Sequence, residues 1–227
     1  MRWFRGANRE SSLYRPGVSE EAAAASAVKL WESPLTAADY FVVDMETSGF
    51  SAEKDLILSL AAACFTGVDP QFTETMYELI RHEHLEGVPQ AVWNLTGLSP
   101  EQVRAGRDLE QVLRRVLTLS VNRVWIAHHA RHELSFLGRQ ARLLWKLKLR
   151  PIVVDTAVVA QALGRMTRVP TLDEVCAWLN VDVRDRHRAD ADVRMTAEVW
   201  RKEIALCQRI GLRTIAEVMD WTSSRAY

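Results

Sequence analysis

Apolar and polar positions alternate along this chain in a way that predicts strands first and helices afterwards. Asp39 to Glu46 contains the apolar run Tyr40-Phe41-Val42-Val43 and reads as a strand. Leu56 to Phe65 is apolar almost throughout, a pattern that fits a buried helix or a buried strand. Its place before the turn Gly67-Val68-Asp69-Pro70 favours a strand. Phe72 to Ile80 alternates with threonines and reads as a third strand. From Pro89 the pattern becomes helical, and Asp108 to Leu119 gathers Leu109, Val112, Leu113, Val116 and Leu117 on one helix face. Arg123 to His128 and Pro151 to Asp155 are short strands, while Glu133 to Leu147, Thr171 to Leu179 and Asp190 to Gln208 are helices. Three strands followed by two more among helices predict an α/β fold, a mixed five-stranded sheet flanked by helices. Residues 1–36 read as an N-terminal helical extension, in which a helix from Ser19 through Trp31 is ended by Pro34. Residues 37–207 form the main domain, and residues 208–227 a short tail with a helix over Thr214 to Trp221.

The first strand ends in Asp44-Met45-Glu46-Thr47-Ser48-Gly49. Residues i and i+2 of a strand share a face, so Asp44 and Glu46 project together. Adjacent carboxylates repel and are costly to bury unless a cation neutralises them. Hard oxygen ligands on a stiff strand suit Mg²⁺ or Mn²⁺. A strand running into an acidic turn, with one carboxylate capping the next amides, fits the same six residues.

Composition narrows the classes. The chain has 227 residues and zero formal net charge, which does not favour a nucleic-acid binder that uses its whole surface. No apolar run reaches 18 residues, so no membrane span is expected. Cys64, Cys176 and Cys207 are far apart in apolar settings and fit reduced core thiols of a cytoplasmic protein. A local basic run exists from Gly138 to Arg150, with Arg139, Arg142, Lys146, Lys148 and Arg150 and no acid. It fits a phosphate-backbone contact or a solvated helix face. The eight tryptophans read as core and surface anchors.

Three further segments complete a constellation: Leu95-Thr96-Gly97-Leu98, the stretch from Ala127 to Leu137, and His187-Arg188-Ala189-Asp190-Ala191-Asp192. With Asp44 to Gly49, their order and spacing resemble the DnaQ-like 3′–5′ exonucleases of the DEDD superfamily. The proofreading subunit of bacterial DNA polymerase III and ribonuclease T belong to that superfamily. The resemblance covers about residues 38 to 205 and implies a ribonuclease H-like fold, with 37–207 as the exonuclease domain. A histidine five residues before the last aspartate marks the DEDDh subclass. The sister subclass has Tyr where this chain has Arg188.

Carried over residue by residue, the resemblance implies that Asp44, Glu46 and Asp192 ligate metal and that His187 is the general base. Two divalent ions roughly 3.5–4 Å apart, Mg²⁺ or Mn²⁺, would serve phosphodiester hydrolysis. Three positions depart from the family pattern. Glu133 stands for the third aspartate, His129 for the usual Asn and His132 for the usual Phe. Glu133 is expected to remain a catalytic ligand of the second metal, with Mn²⁺, the less strict ion, favoured. Thr47, Gly49, Phe50 and Leu98 are expected at the substrate's terminal nucleotides, and Arg139 and Arg142 at its backbone. Phe50 and Leu98 also fit plain core packing.

His128, His129 and His132 lack standard zinc spacing, and His82 and His84 read as exposed loop residues. Asp190 lies about 200° from Asp192 around a helix and points elsewhere. Asp155 reads as a structural strand-end residue. The expected partner is a single-stranded nucleic-acid 3′ end, DNA before RNA, with a polymerase or other replication or repair protein. An RNA-trimming exoribonuclease and a non-catalytic binding module are the alternatives.

Overall fold

The computed structural model describes residues 28–225. Its elements follow in the order β1 (Asp39–Thr47), β2 (Ile57–Thr66), β3 (Glu74–Leu79), α1 (Gln90–Thr96), α2 (Pro100–Arg104) and α3 (Leu109–Leu119). Next come β4 (Val124–Ala127), α4 (Arg131–Trp145), β5 (Val153–Asp155), α5 (Thr156–Gly164), α6 (Leu172–Leu179), α7 (Ala189–Arg209) and α8 (Ile215–Ser223). The five strands form one sheet in the order β3-β2-β1-β4-β5. β1 pairs antiparallel with β2, and β2 with β3, whereas β4 lies parallel to β1 and β5 parallel to β4. The mixed sheet expected from the strand pattern is therefore present, with β1 at its centre.

Side-chain alternation on β1 builds two cores. Tyr40 and Val42 face α7 and α8, where they meet Val193, Ala197, Trp200, Ile204, Ile215 and Val218. Phe41, Val43 and Met45 face the other way, against Val112, Leu113 and Val116 of α3 and Phe136 and Leu137 of α4. β2 is buried from Ile57 through Phe65 because helices cover both of its faces. That explains why its sequence alternates so little. Ala61 and Ala63 lie on the α7 face of β2, in register with Asp44 and Val42. Their small side chains let α7 approach the sheet closely.

One helix escapes the sequence pattern. α5 reads Thr-Ala-Val-Val-Ala-Gln-Ala-Leu-Gly, apolar nearly all round, so no polar stripe marks its face. Asp155 caps its N-terminus by accepting from the Ala157 amide at 3.0 Å. The helix expected from Ser19 lies mostly outside the described residues, and residues 28–31 are helical. From there the chain joins the main core. The Leu35 amide donates to Arg213 O at 2.8 Å, the Ile215 amide donates to Ser33 O at 3.2 Å, and Leu35 is fully buried. α8 begins after the capping box of Thr214 and Glu217, one residue from the expected start.

The close approach of α7 can be tested. Ala63→Leu should overpack this layer and lower the urea-unfolding free energy by about 1–3 kcal/mol. A change within error would mean that the α7 face of β2 has room to spare.

Candidate active site

Toward the C-terminal end of β1, the α7-facing row changes from apolar to acidic. Tyr40 and Val42 are followed by Asp44 and Glu46 on the same face. α7 runs antiparallel to β1, with Trp200 against Tyr40 at 5.8 Å between ring centroids. Its first turn, bearing Asp190 and Asp192, therefore lies at the acidic end of the strand. Asp44, Glu46 and Asp192 each offer a carboxylate oxygen within 4.8 Å of the others. The positive end of the α7 dipole favours Asp192 in its charged form.

The strand, the helix and the charges pull in different directions. Burial, with the charges of Glu133, Asp192 and Glu46, pushes the Asp44 carboxyl well above the usual range. Burial and Asp192 raise Glu46 to about 7. Burial raises Asp192 as well, against the opposing pull of Arg186. Glu133, on the first turn of α4, is only 4% exposed, and burial lifts it to about 8, with Asp155 and Glu46 adding to the shift. Its Oε2 and the Oδ1 of Asp192 are buried without a hydrogen-bond partner. Four hard carboxylates that repel one another, two with orphaned oxygens, fit a divalent metal centre. Asp44, Glu46 and Asp192 form the tight group. Glu133 lies outside it and acts on Asp44 through charge.

The departures around Glu133 have local reasons. His129 has a φ of 57°, a left-handed turn that Asn and His adopt more readily than most residues. Asp155 holds this turn by accepting from the amides of His129 at 3.0 Å and Ala130 at 2.9 Å, the structural role expected of it. His128 is buried, and its Nε2–H donates to Pro170 O at 3.2 Å while Nδ1 lies 2.9 Å from the Thr156 hydroxyl. Burial pushes its pKa down to about 3, which keeps it neutral. His132 Nε2 donates to Thr47 Oγ1 at 3.2 Å, and the Thr47 hydroxyl donates to Gly49 O at 2.7 Å. A histidine in place of the family's Phe thus ties α4 to the loop after β1.

That loop is firmly built. Asp55 accepts from the Ser51 amide at 2.8 Å and from the Ser48 hydroxyl at 3.2 Å. A Cβ on residue 49 would come within 2.5 Å of the Asp55 carboxylate, so only Gly fits there. The Ser48 amide already donates to Leu56 O at 2.9 Å. Phe50 is 94% exposed at the loop's tip, 6.1 Å from the His132 ring, which rules out a core role for it. Leu98, by contrast, packs half-buried on Leu58, Leu85, Trp93 and Val103. Arg139 Nη2 reaches Glu53 O of the same loop at 3.4 Å. Arg142 is exposed in the last turn of α4, nine positions and about half a turn around from Glu133. His82 is not a free loop residue, since its Nε2 donates to Ile57 O at 2.8 Å.

Loop 182–188 carries His187, which the sequence pointed to, and Arg186, which it did not. His187 sits at its end with a φ of 62°, half-buried, beside Asp192. Arg186 turns inward between two acids: Nη1 donates to Asp192 Oδ2, and Nε donates to Asp173 Oδ1 at 2.6 Å. Its neighbours Arg184 and Arg188 pair instead with Asp182 and Asp190. Three arginines at alternate positions give no sign of which turns in. Tyr77 lies in register with Ala61 and hence with Asp44, on the same face. Burial raises its phenol, on which Asp190, Arg188 and Glu46 also act.

A sequence model of a family described as exonuclease matches residues 41–200. The chain belongs to this exonuclease family. Its relatives include the PolC-type DNA polymerase III of Thermotoga petrophila, 27% identical over 203 residues. That of Oceanobacillus iheyensis is 29% identical over 183 residues. These matches take in 87% and 80% of this exonuclease but only 14% and 12% of the polymerases. The chain thus spans less than a seventh of their length. Exonuclease X in complex with 5′ overhanging duplex DNA superimposes with a TM-score of 0.60 at 18% identity, covering 81% of this chain and 99% of that one. A 3′-exonuclease that recognises the histone mRNA stem-loop gives 0.59 at 16%, covering 84% and 75%. At these identities the likeness shows the fold, which is α/β and ribonuclease H-like. Residues 41–200 are thus an exonuclease domain of that family.

The raised carboxyls make the exonuclease's stability depend on pH. A carboxyl whose folded pKa lies above its unfolded value stabilises the fold at low pH and loses that contribution as pH rises through the folded value. With Glu46 at about 7 and Glu133 at about 8, the metal-free protein should melt lower as pH rises from about 5 to 8. Glu46→Gln should flatten that fall in thermal melts. A melting temperature that climbs over this range would contradict the assignment.

Proposed function

We propose that this domain removes nucleotides one at a time from a single-stranded or frayed DNA 3′ end and releases nucleoside 5′-monophosphates. The observation that carries the reading is the meeting of Asp44, Glu46 and Asp192 within 4.8 Å, beside Glu133 and His187. In this reading Asp44, Glu46, Glu133 and Asp192 hold two divalent ions, Mg²⁺ or Mn²⁺. When bound, such ions neutralise charge on the attacking and leaving oxygens of a phosphodiester and acidify a water. His187 takes the proton of the attacking water as general base. Its place on a loop rather than inside α7 lets it close onto substrate. Phe50 offers an exposed ring on which the terminal base stacks. Thr47 and Gly49 shape the loop under the terminal nucleotide, with Leu98 behind it. Arg139 and Arg142 meet the phosphate backbone. Residues 37–207 carry the activity.

DNA is favoured as substrate because the PolC-type relatives are DNA polymerases. RNA is the second reading, because a 3′-exonuclease that recognises histone mRNA shares the fold. A polymerase or other replication or repair protein is the proposed partner, on the same ground. Three free, buried thiols support a cytoplasmic setting, and no described helix is long and apolar enough to cross a membrane.

The test uses 5′-labelled single-stranded DNA and RNA of one sequence with Mg²⁺, Mn²⁺ or chelator. A metal-dependent ladder shortening from the 3′ end, faster on DNA and absent in Asp44→Ala, is expected. Faster RNA decay would move the substrate to RNA. No cleavage, with the strand still retained on a gel, would favour a binding module. Glu133→Ala should lower the rate about a hundredfold or more. An undiminished rate would remove Glu133 from the ligand set. Glu133→Asp tests the longer side chain: loss of activity with both metals would mean that the pocket is built around it.

A further inference from the structure

Among the described residues, Arg186 is the cation seated at the carboxylate cluster. One side of its guanidinium holds Asp192 Oδ2, and the other holds Asp173 Oδ1 at 2.6 Å. Asp192 is 5% exposed and its second oxygen has no partner. The positive charge of Arg186 also acts on Asp44 and Glu46, opposing the rise that burial imposes on both. A guanidinium bound to one oxygen of Asp192 takes up one of the donors that a metal ion needs. A dication meets three or four carboxylates with twice the charge, so the two cations compete for one acid.

Arg186 lies in a strained stretch. It sits between Asp185 and His187, whose φ angles of 47° and 62° are left-handed, an arrangement costly for residues other than Gly. Its outer anchor, Asp173, is on the first turn of α6, so the guanidinium keeps one partner when it leaves the other.

We propose that Arg186 is an internal counter-ion that occupies Asp192 in the metal-free protein and yields it to a divalent cation. The proposal rests on reading Asp44, Glu46 and Asp192 as a metal site. Two properties follow. The wild-type site binds metal more weakly than its ligands alone would allow, because a ligand is selected from a paired state. The metal-free fold is spared part of the carboxylate repulsion.

Titration calorimetry with Mn²⁺ on the full chain tests this, with melting curves of the metal-free proteins alongside. Arg186→Gln should bind Mn²⁺ about tenfold tighter than wild type. It should also melt lower without metal near pH 8. Arg186→Lys, a point charge that cannot bridge two carboxylates, should fall between them. Asp44→Ala sets the background for binding elsewhere. Equal or weaker Mn²⁺ affinity in Arg186→Gln, above that background, would overturn the competition while leaving the metal site standing. No binding above background by any variant would overturn the metal site and this proposal with it. If Arg186→Gln fails to fold, Arg186→Lys decides on the same two readouts.

Discussion

Mutual repulsion among buried carboxylates is the constraint around which this molecule is arranged. Asp44 and Glu46 share a face because a strand has period two, and the same alternation places Tyr40 and Val42 under α7. The packing of α7 onto the sheet is apolar along most of its length. At its first turn it delivers Asp192 to the two strand acids, at an interval where like charges do not tolerate burial. Hydrophobic contact between Trp200 and Tyr40 and the small Ala61 and Ala63 beneath the helix hold the acids together. The core thus supplies the force, and the site carries the cost.

Much of this could be read from the sequence, for reasons that differ by element. β1, α3 and α7 have clear periods, and Thr171 and Thr214 announce their helices as N-caps. Strand spacing alone predicts that Asp44 and Glu46 share a face, whereas Glu133, His187 and Asp192 enter only through the family resemblance. α5 was hidden because it is apolar on all sides. Arg186 and Tyr77 were hidden for another reason. Their place depends on register and on a loop with left-handed residues, neither of which leaves a periodic trace.

The departures from the family pattern are not scattered. His129 occupies a left-handed turn that Asp155 clamps, and His132 links α4 to Thr47. Both flank Glu133, the longer acid. All three lie in the first turn of α4 or the turn just before it, where Glu133 is buried and its charge acts on Asp44. Glu133 keeps the charge of an aspartate with a longer reach.

The most direct test of a metal centre at the end of β1 is anomalous diffraction from crystals soaked in Mn²⁺. The account predicts a strong peak bounded by Asp44, Glu46 and Asp192, a second toward Glu133, and Arg186 withdrawn from Asp192. A crystal with no peak at these carboxylates, and Arg186 still paired with Asp192 at saturating Mn²⁺, would contradict it.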